Sequence, residues 1–246
     1  MGRLSWQLGV VVTIRPETAR TKSITLALPN WIEHRAGQHV DARLTAEDGY
    51  QAERSYSIAS PPEEAPRVTL TVERIDDGEV SPYLTEDLRV GDKLELRGPI
   101  GGYFVWDASM GGLLLLVAGG SGIVPLMAML RHRAATSSSV PTRLLYSSRS
   151  LEDVMYRDEL DHLVKNTTML EVVQTLTRVQ PPGWTGYTRR IDMQMLREVA
   201  WPVEQRPIAY ICGPTPFVET AAASLVALGH QPARIKTERF GPTGEA

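Results

Sequence analysis

The texture of the chain changes once, near residue 107, and that change restricts the fold more than any other feature. Before it lie short β-type runs: Gln7–Ile14, Thr21–Leu28, His39–Leu44, Arg54–Ala59, Arg67–Arg74 and Lys93–Arg97. Turn-forming clusters such as Pro-Glu-Thr, Glu-Asp-Gly, Ser-Pro-Pro and Asp-Asp-Gly separate them. Short strands at that spacing predict an antiparallel sandwich or barrel. One helix interrupts them at Ser81–Leu88, with Pro82 in its first turn. After the change, strands alternate with helices: Leu113–Val117, then helix Pro125–Arg133, Arg143–Ser147, helix Val154–Leu163, Leu170–Leu176, helix Met193–Val199, Ile208–Cys212 and helix Pro216–Leu228. Leu113–Val117 is apolar throughout, as a parallel strand covered on both faces requires. Such βα repetition predicts a parallel sheet flanked by helices. The expected organisation is a β-domain over residues 1–107 and an α/β domain over 108–246, with the boundary in Asp107–Gly111.

Composition narrows the function classes. A chain of 246 residues with 42% hydrophobic and 22% charged residues has ample material for two packed cores. The net charge of −3, without a basic cluster, gives no reason to expect nucleic acid. Cys212 is the only cysteine, so neither an intrachain disulfide nor a four-cysteine iron–sulfur cluster is expected. The five histidines show no metal-ligand spacing, and no zinc site is expected. No apolar window reaches the ~20 residues of a membrane span, and the first residues lack the apolar core of a signal peptide. A cytoplasmic, soluble protein is the expectation.

Four motifs carry chemistry. Arg54-Ser55-Tyr56-Ser57 lies on a predicted strand, whose period of two puts Arg54 and Tyr56 on one face and the two serines on the other. A guanidinium suits a phosphate, a phenol ring a flat heterocycle, and a hydroxyl a ring nitrogen. Gly78-Glu79-Val80-Ser81 precedes the first half's helix, where free N–H groups suit phosphate, although taken alone the motif reads better as a plain serine cap. Gly119-Gly120-Ser121-Gly122 joins a buried strand to a helix, a setting suited to pyrophosphate. Its spacing is neither the GxGxxG fingerprint nor a GxSxG nucleophile elbow. Cys212-Gly213-Pro214 repeats that geometry at a later strand end, so both glycine turns are expected to open onto one crevice.

In that order, the motifs resemble the ferredoxin–NADP⁺ reductase superfamily, from Ala36-Gly37-Gln38 through to Glu238-Arg239-Phe240. Leu96-Arg97-Gly98-Pro99-Ile100-Gly101-Gly102-Tyr103-Phe104 is similar to the family's GPxGxF segment, with one extra residue before Phe104. The resemblance implies an antiparallel flavin-binding β-barrel followed by an α/β nicotinamide-dinucleotide domain, with FAD and NADPH (or NADH) as cofactors. It implies that Arg54, with Ser55 beside it, holds a flavin phosphate, that Tyr56 packs on the flavin, and that Ser57 lies near its reactive nitrogen. Strict alternation puts Ser57 on the opposite face, so it would have to reach the flavin from the strand's end. Gly78, Glu79, Val80 and Ser81 would bind the FAD pyrophosphate and Gly119, Gly120, Ser121 and Gly122 that of NAD(P). Cys212, Gly213 and Pro214 would border the nicotinamide, with Ser57 and Cys212 nearest the chemistry, and Phe240 would shield the flavin face. Ser148-Arg149 and Thr177-Arg178, at successive strand ends, lean the nucleotide reading towards NADPH, because arginine beside a hydroxyl suits a 2′-phosphate. The implied activity is hydride uptake from NAD(P)H onto FAD and electron delivery to a separate acceptor protein: a ferredoxin, an oxygenase or another redox enzyme. A free-flavin reductase and a non-catalytic redox-sensing flavin subunit are the alternatives.

Overall fold

The computed structural model describes residues 4–167 and 169–241. They form two compact units: one up to Asp107 that also takes in Met127–Ala135, the other comprising Ala108–Leu126 and the described residues from Thr136 onward.

The first unit holds β1 (Trp6–Thr18), β2 (Thr21–Ala27), β3 (His39–Thr45), β4 (Gln51–Ser57), β5 (Arg67–Glu73) and β6 (Lys93–Ile100). They pair antiparallel in the order β4-β3-β6-β1-β2-β5. A single bridge, Ile58 to Leu70, joins the end of β4 to β5 and so brings the two edges of the sheet together. Closure at this one point shortens the unpaired edges. Inside lies a core that includes Ile24, Leu26, Val40, Leu70 and Leu96, each buried. Strand β1 runs past the predicted Ile14 to Thr18, because a register shift at Pro16/Thr18 accommodates the proline that cannot donate to the ladder.

The helix expected over Ser81–Leu88 is present over 81–87, but widens to π-type pairing at Tyr83–Asp87. Thr85 explains the widening: its hydroxyl donates to the carbonyls of Ser81 (2.8 Å) and Pro82 (3.2 Å), inserting a side chain into the backbone ladder.

The second unit is a parallel sheet of β7 (Leu114–Gly119), β8 (Thr142–Ser148), β9 (Leu170–Leu176), β10 (Ile208–Pro214) and β11 (Ile235–Phe240), in the order β11-β10-β7-β8-β9. Helices α2 (Arg157–Asn166), α3 (Met193–Val199) and α4 (Thr215–Ala227) accompany the strands, while α1 (Ile123–Ala135) starts in this unit and belongs to the first from Met127 onward. Helix α2 starts three residues later than the sequence predicts, because Tyr156 adopts φ +58° and its left-handed backbone ends the preceding turn. Strand β11 has no counterpart in the sequence reading. It is an edge strand bearing Lys236, Glu238 and Arg239, the charged composition that discourages edge-to-edge pairing and hides the strand signal. Among the described residues no helix is long and apolar enough to cross a membrane.

Candidate functional site

In the first unit, β4 supplies one wall. Tyr56 is partly buried against the barrel core, while Arg54 is exposed. Burial pushes the Tyr56 phenol up to about 12, and the Arg54 charge pulls it the other way, as two neighbours on one strand face would do. Ser55 lies on the opposite face, where its hydroxyl donates to Asp41 Oδ1 at 2.7 Å. Burial opposes ionisation of that carboxyl, but hydrogen bonds from Arg97 and Ser55 hold it below the usual carboxylate range. Ser55 is thus engaged in a structural pair, away from Arg54 and Tyr56. Ser57 is the last residue of β4, opposite His39.

The Gly78–Ser81 loop reaches this wall. The Gly78 N–H donates to the Ile75 carbonyl at 3.0 Å, and the Ser81 hydroxyl accepts from the Ile75 N–H at 3.0 Å. Ser81 therefore closes its own loop instead of capping the following turn, and Val80 is buried. Glu79 points outward: it accepts from the Tyr50 hydroxyl at 2.9 Å and from Arg54 Nη2 at 3.5 Å. Two motifs 25 residues apart thereby converge on one surface.

In the second unit the two glycine turns come together where β7 and β10 lie side by side, with Cys212 level with Ala118. Strands β8 and β9 continue on one side of β7, and β10 lies on the other, so this is the topological switch point at which open α/β sheets bind ligands. A short turn, Gly120–Gly122, leads from β7 into α1, and α4 starts at Thr215 without a side-chain cap. Both helix N-termini leave backbone N–H groups for an anion. Gly120 has φ +55° and open space where a side chain would stand. Gly122 is the reverse: a Cβ there would lie 2.1 Å from the Cys212 carbonyl oxygen. At Gly119 and Gly213 a Cβ would meet the Phe217 ring at 3.0 and 2.8 Å. Phe217, in the first turn of α4, is a residue that sequence reasoning missed. Its signal was the aromatic directly after Pro-Thr-Pro, read only as helix.

Cys212 sits deeper than the sequence suggested. It is 1% exposed, and burial pushes its thiol well up, reinforced by the nearby Glu238 charge. A neutral, sealed thiol is no nucleophile. Pro214, exposed at the end of β10, is level with Phe240 at the end of β11.

The two basic strand ends also come together: the Arg178 N–H donates to the Arg149 carbonyl at 2.9 Å. Both arginines are exposed, and neither guanidinium has a partner among the described residues. The hydroxyls beside them are turned away. Ser148 Oγ is buried without a hydrogen-bond partner, and Thr177 Oγ1 donates to the Ser148 carbonyl at 3.2 Å. Of these four side chains only the two arginines are exposed.

Comparison with known proteins accords with this layout. The model of the oxidoreductase FAD-binding domain matches residues 10–105, and that of the oxidoreductase NAD-binding domain matches residues 116–223. The chain is 32% identical over 208 residues to the glycine betaine monooxygenase reductase subunit of Pseudomonas aeruginosa, covering 84% of this chain and 56% of that protein. It therefore spans little more than half the length of that relative. It is also 32% identical to NADH-cytochrome b5 reductase 1 of Aspergillus terreus, over 80% of this chain and 68% of the relative. Among solved structures, the FAD/NAD-binding domain of nitric oxide dioxygenase from Vibrio cholerae superimposes with a TM-score of 0.86 at 25% identity, covering 96% of this chain and 99% of that one. With both cofactor-domain models matched in order and a relative covered over two thirds of its length, the chain belongs to the oxidoreductases of the ferredoxin–NADP⁺ reductase superfamily, which pair an FAD-binding with an NAD-binding domain.

Proposed function

We propose that this chain is the NAD(P)H-dependent flavin reductase of an electron-transfer system, passing electrons from FAD to a separate redox protein of the oxygenase or ferredoxin class. The observation that carries the reading is the pairing, within one chain, of a phosphate-competent flavin wall with a glycine-lined crevice at a sheet switch point. The names of similar proteins, reductase subunits of monooxygenases among them, support an oxygenase-type acceptor. When bound, the nicotinamide supplies a hydride and the flavin converts it into electrons released singly or in pairs.

The chain's own residues bind and orient. Arg54 offers a guanidinium to a flavin phosphate, and the Tyr56 ring, held rigid by the core behind it, offers an apolar face. Backbone N–H groups at Gly120–Gly122 and the start of α4 receive the dinucleotide phosphates, where glycine lets the chain come close. Ser57 orients the flavin from the end of β4, and Cys212 shapes the crevice through its backbone. Purified protein should be yellow, and anaerobic NADPH should bleach its flavin absorbance. Protein that keeps no flavin through gel filtration would instead be a free-flavin reductase, and bound flavin that NAD(P)H cannot reduce would sink the enzymatic reading.

Two predictions follow from the residue roles. Arg54→Ala should weaken FAD binding by about tenfold or more, the scale of a charge-assisted hydrogen bond. Ser57→Ala should keep its flavin but reduce it about tenfold more slowly in stopped-flow mixing with NADPH. Normal values for both variants would remove these assignments.

The two free guanidinia favour NADPH over NADH. Replacing Arg149 and Arg178 together by alanine should raise KM for NADPH by about tenfold to a hundredfold and leave KM for NADH nearly unchanged. Equal losses with both nucleotides would show that the arginines read no 2′-phosphate.

A further inference from the structure

Glu79 is a carboxylate beside the residue that would clamp a phosphate. Its Oε2 lies 3.5 Å from Arg54 Nη2, with the two side chains 51% and 55% exposed. Its other oxygen is tied down by the Tyr50 hydroxyl at 2.9 Å, and that bond and the carboxylate's charge push the Tyr50 phenol above its ordinary value. Arg54 is held from the opposite side as well, since Nη1 donates to the Glu53 carbonyl at 2.7 Å. The guanidinium is therefore pre-positioned, and its charge already has a partner. The Gly78–Ser81 loop does not need this carboxylate for its own shape: the bonds that close it run through Gly78 N–H and Ser81 Oγ to Ile75.

From this geometry, and resting on the flavin reading of Arg54 above, we infer that Glu79 is a specificity-determining residue, an internal anion that competes with the flavin phosphate for Arg54 and selects against the more highly charged phosphate. The chemistry of the two flavin nucleotides supplies the selection. FMN ends in a phosphomonoester with a second ionisation near neutral pH and a charge of about −1.5 to −2. The FAD pyrophosphate carries about the same total charge, but spreads it over two phosphates, one of them farther from Arg54. Coulomb repulsion falls with distance, so a fixed carboxylate penalises the concentrated charge of FMN more than the divided charge of FAD. At an exposed site such interactions are modest and screened by salt. The effect is one of selectivity and retention and leaves the fold untouched. Tyr50 is the positioning residue that keeps the carboxylate beside Arg54.

The test is a set of dissociation constants for FAD, FMN and riboflavin, read from flavin fluorescence on flavin-stripped protein at low salt. Glu79→Gln keeps the shape and removes the charge. It should tighten FMN by about threefold to fivefold and FAD by less than about twofold. Riboflavin has no phosphate, so its affinity should stay unchanged. The gain should shrink in 0.5 M salt, roughly a Debye length of 4 Å, and be smaller in the Arg54→Ala background, where the carboxylate no longer competes for a guanidinium and only its direct repulsion is left. Tyr50→Phe should give part of the same gain. Equal tightening of all three flavins, or weaker FMN binding by Glu79→Gln, would overturn the inference while leaving the reductase reading intact. Wild-type protein that binds none of the three flavins would overturn both.

Discussion

Gly37→Ala should cost this protein roughly 3–5 kcal/mol and lower its melting temperature by about 10 °C. Two separate penalties add at this position. Gly37 has φ +98°, a backbone region where any Cβ is strained, and the added Cβ would lie 2.0 Å from the Phe104 carbonyl oxygen. The Met129 side chain, 2.8 Å away, can swing aside, but the carbonyl belongs to a backbone fixed on both sides. Next to it the Gln38 amide donates to the Gly101 carbonyl at 2.6 Å, and the Trp106 N–H donates to the Ala36 carbonyl at 3.1 Å. Gly91→Ala is the control. It shares the positive φ, +96°, with nothing within 4 Å, so it should lose only the conformational part, about 1–2 kcal/mol. Thermal melts of the two variants decide the matter: equal losses would mean that the Phe104 carbonyl yields at no cost.

The same segment shows how the sequence could be read and where reading stopped. Ala36-Gly37-Gln38 and the Gly98–Phe104 stretch stood out as separate motifs, yet nothing in the linear order says that one glycine faces the other's carbonyl. The extra residue before Phe104 is absorbed in the bend: Tyr103 is 59% exposed and Phe104 is buried. Strand motifs were legible because their evidence is local. Arg54 and Tyr56 share a face through simple alternation, and the glycine turns sit between an apolar run and a helix. Contacts between distant segments were not legible. The Arg54–Glu79 pair joins a strand to a loop beyond β5, and Phe217 packs beneath two glycines from different strands. Sequence reading makes Ser148 and Cys212 ligand contacts at strand ends, but the side chains of both are buried. Strand β11 escaped because its charges erase the apolar pattern that would announce it.

Gly122→Ala should be the most damaging single methyl group in the second unit, costing about 3 kcal/mol or more and abolishing measurable NAD(P)H binding. No positive φ contributes here, so the cost is steric. The three nearest atoms are all backbone: Cys212 O at 2.1 Å, Cys212 C at 2.4 Å and Gly213 N at 2.7 Å. Strand β10 cannot retreat, because Cys212 is held level with Ala118 of β7 on one side and Glu238 of β11 on the other. The turn must move instead, and with it the first N–H groups of α1 that the crevice would present to phosphate. Gly120→Ala changes the same turn by the same methyl group, but into open space, and should cost only about 1 kcal/mol for its φ of +55°. Gly213→Ala falls between them, because its obstacle is the Phe217 ring at 2.8 Å, and Phe217→Leu in the same chain should recover part of the loss. Nucleotide titration and thermal melts of the series give the expected order, Gly120 mildest, Gly213 intermediate, Gly122 worst. A Gly122→Ala protein that melts within a degree or two of wild type and still binds NADPH would show that the close approach of α1 to β10 is dispensable.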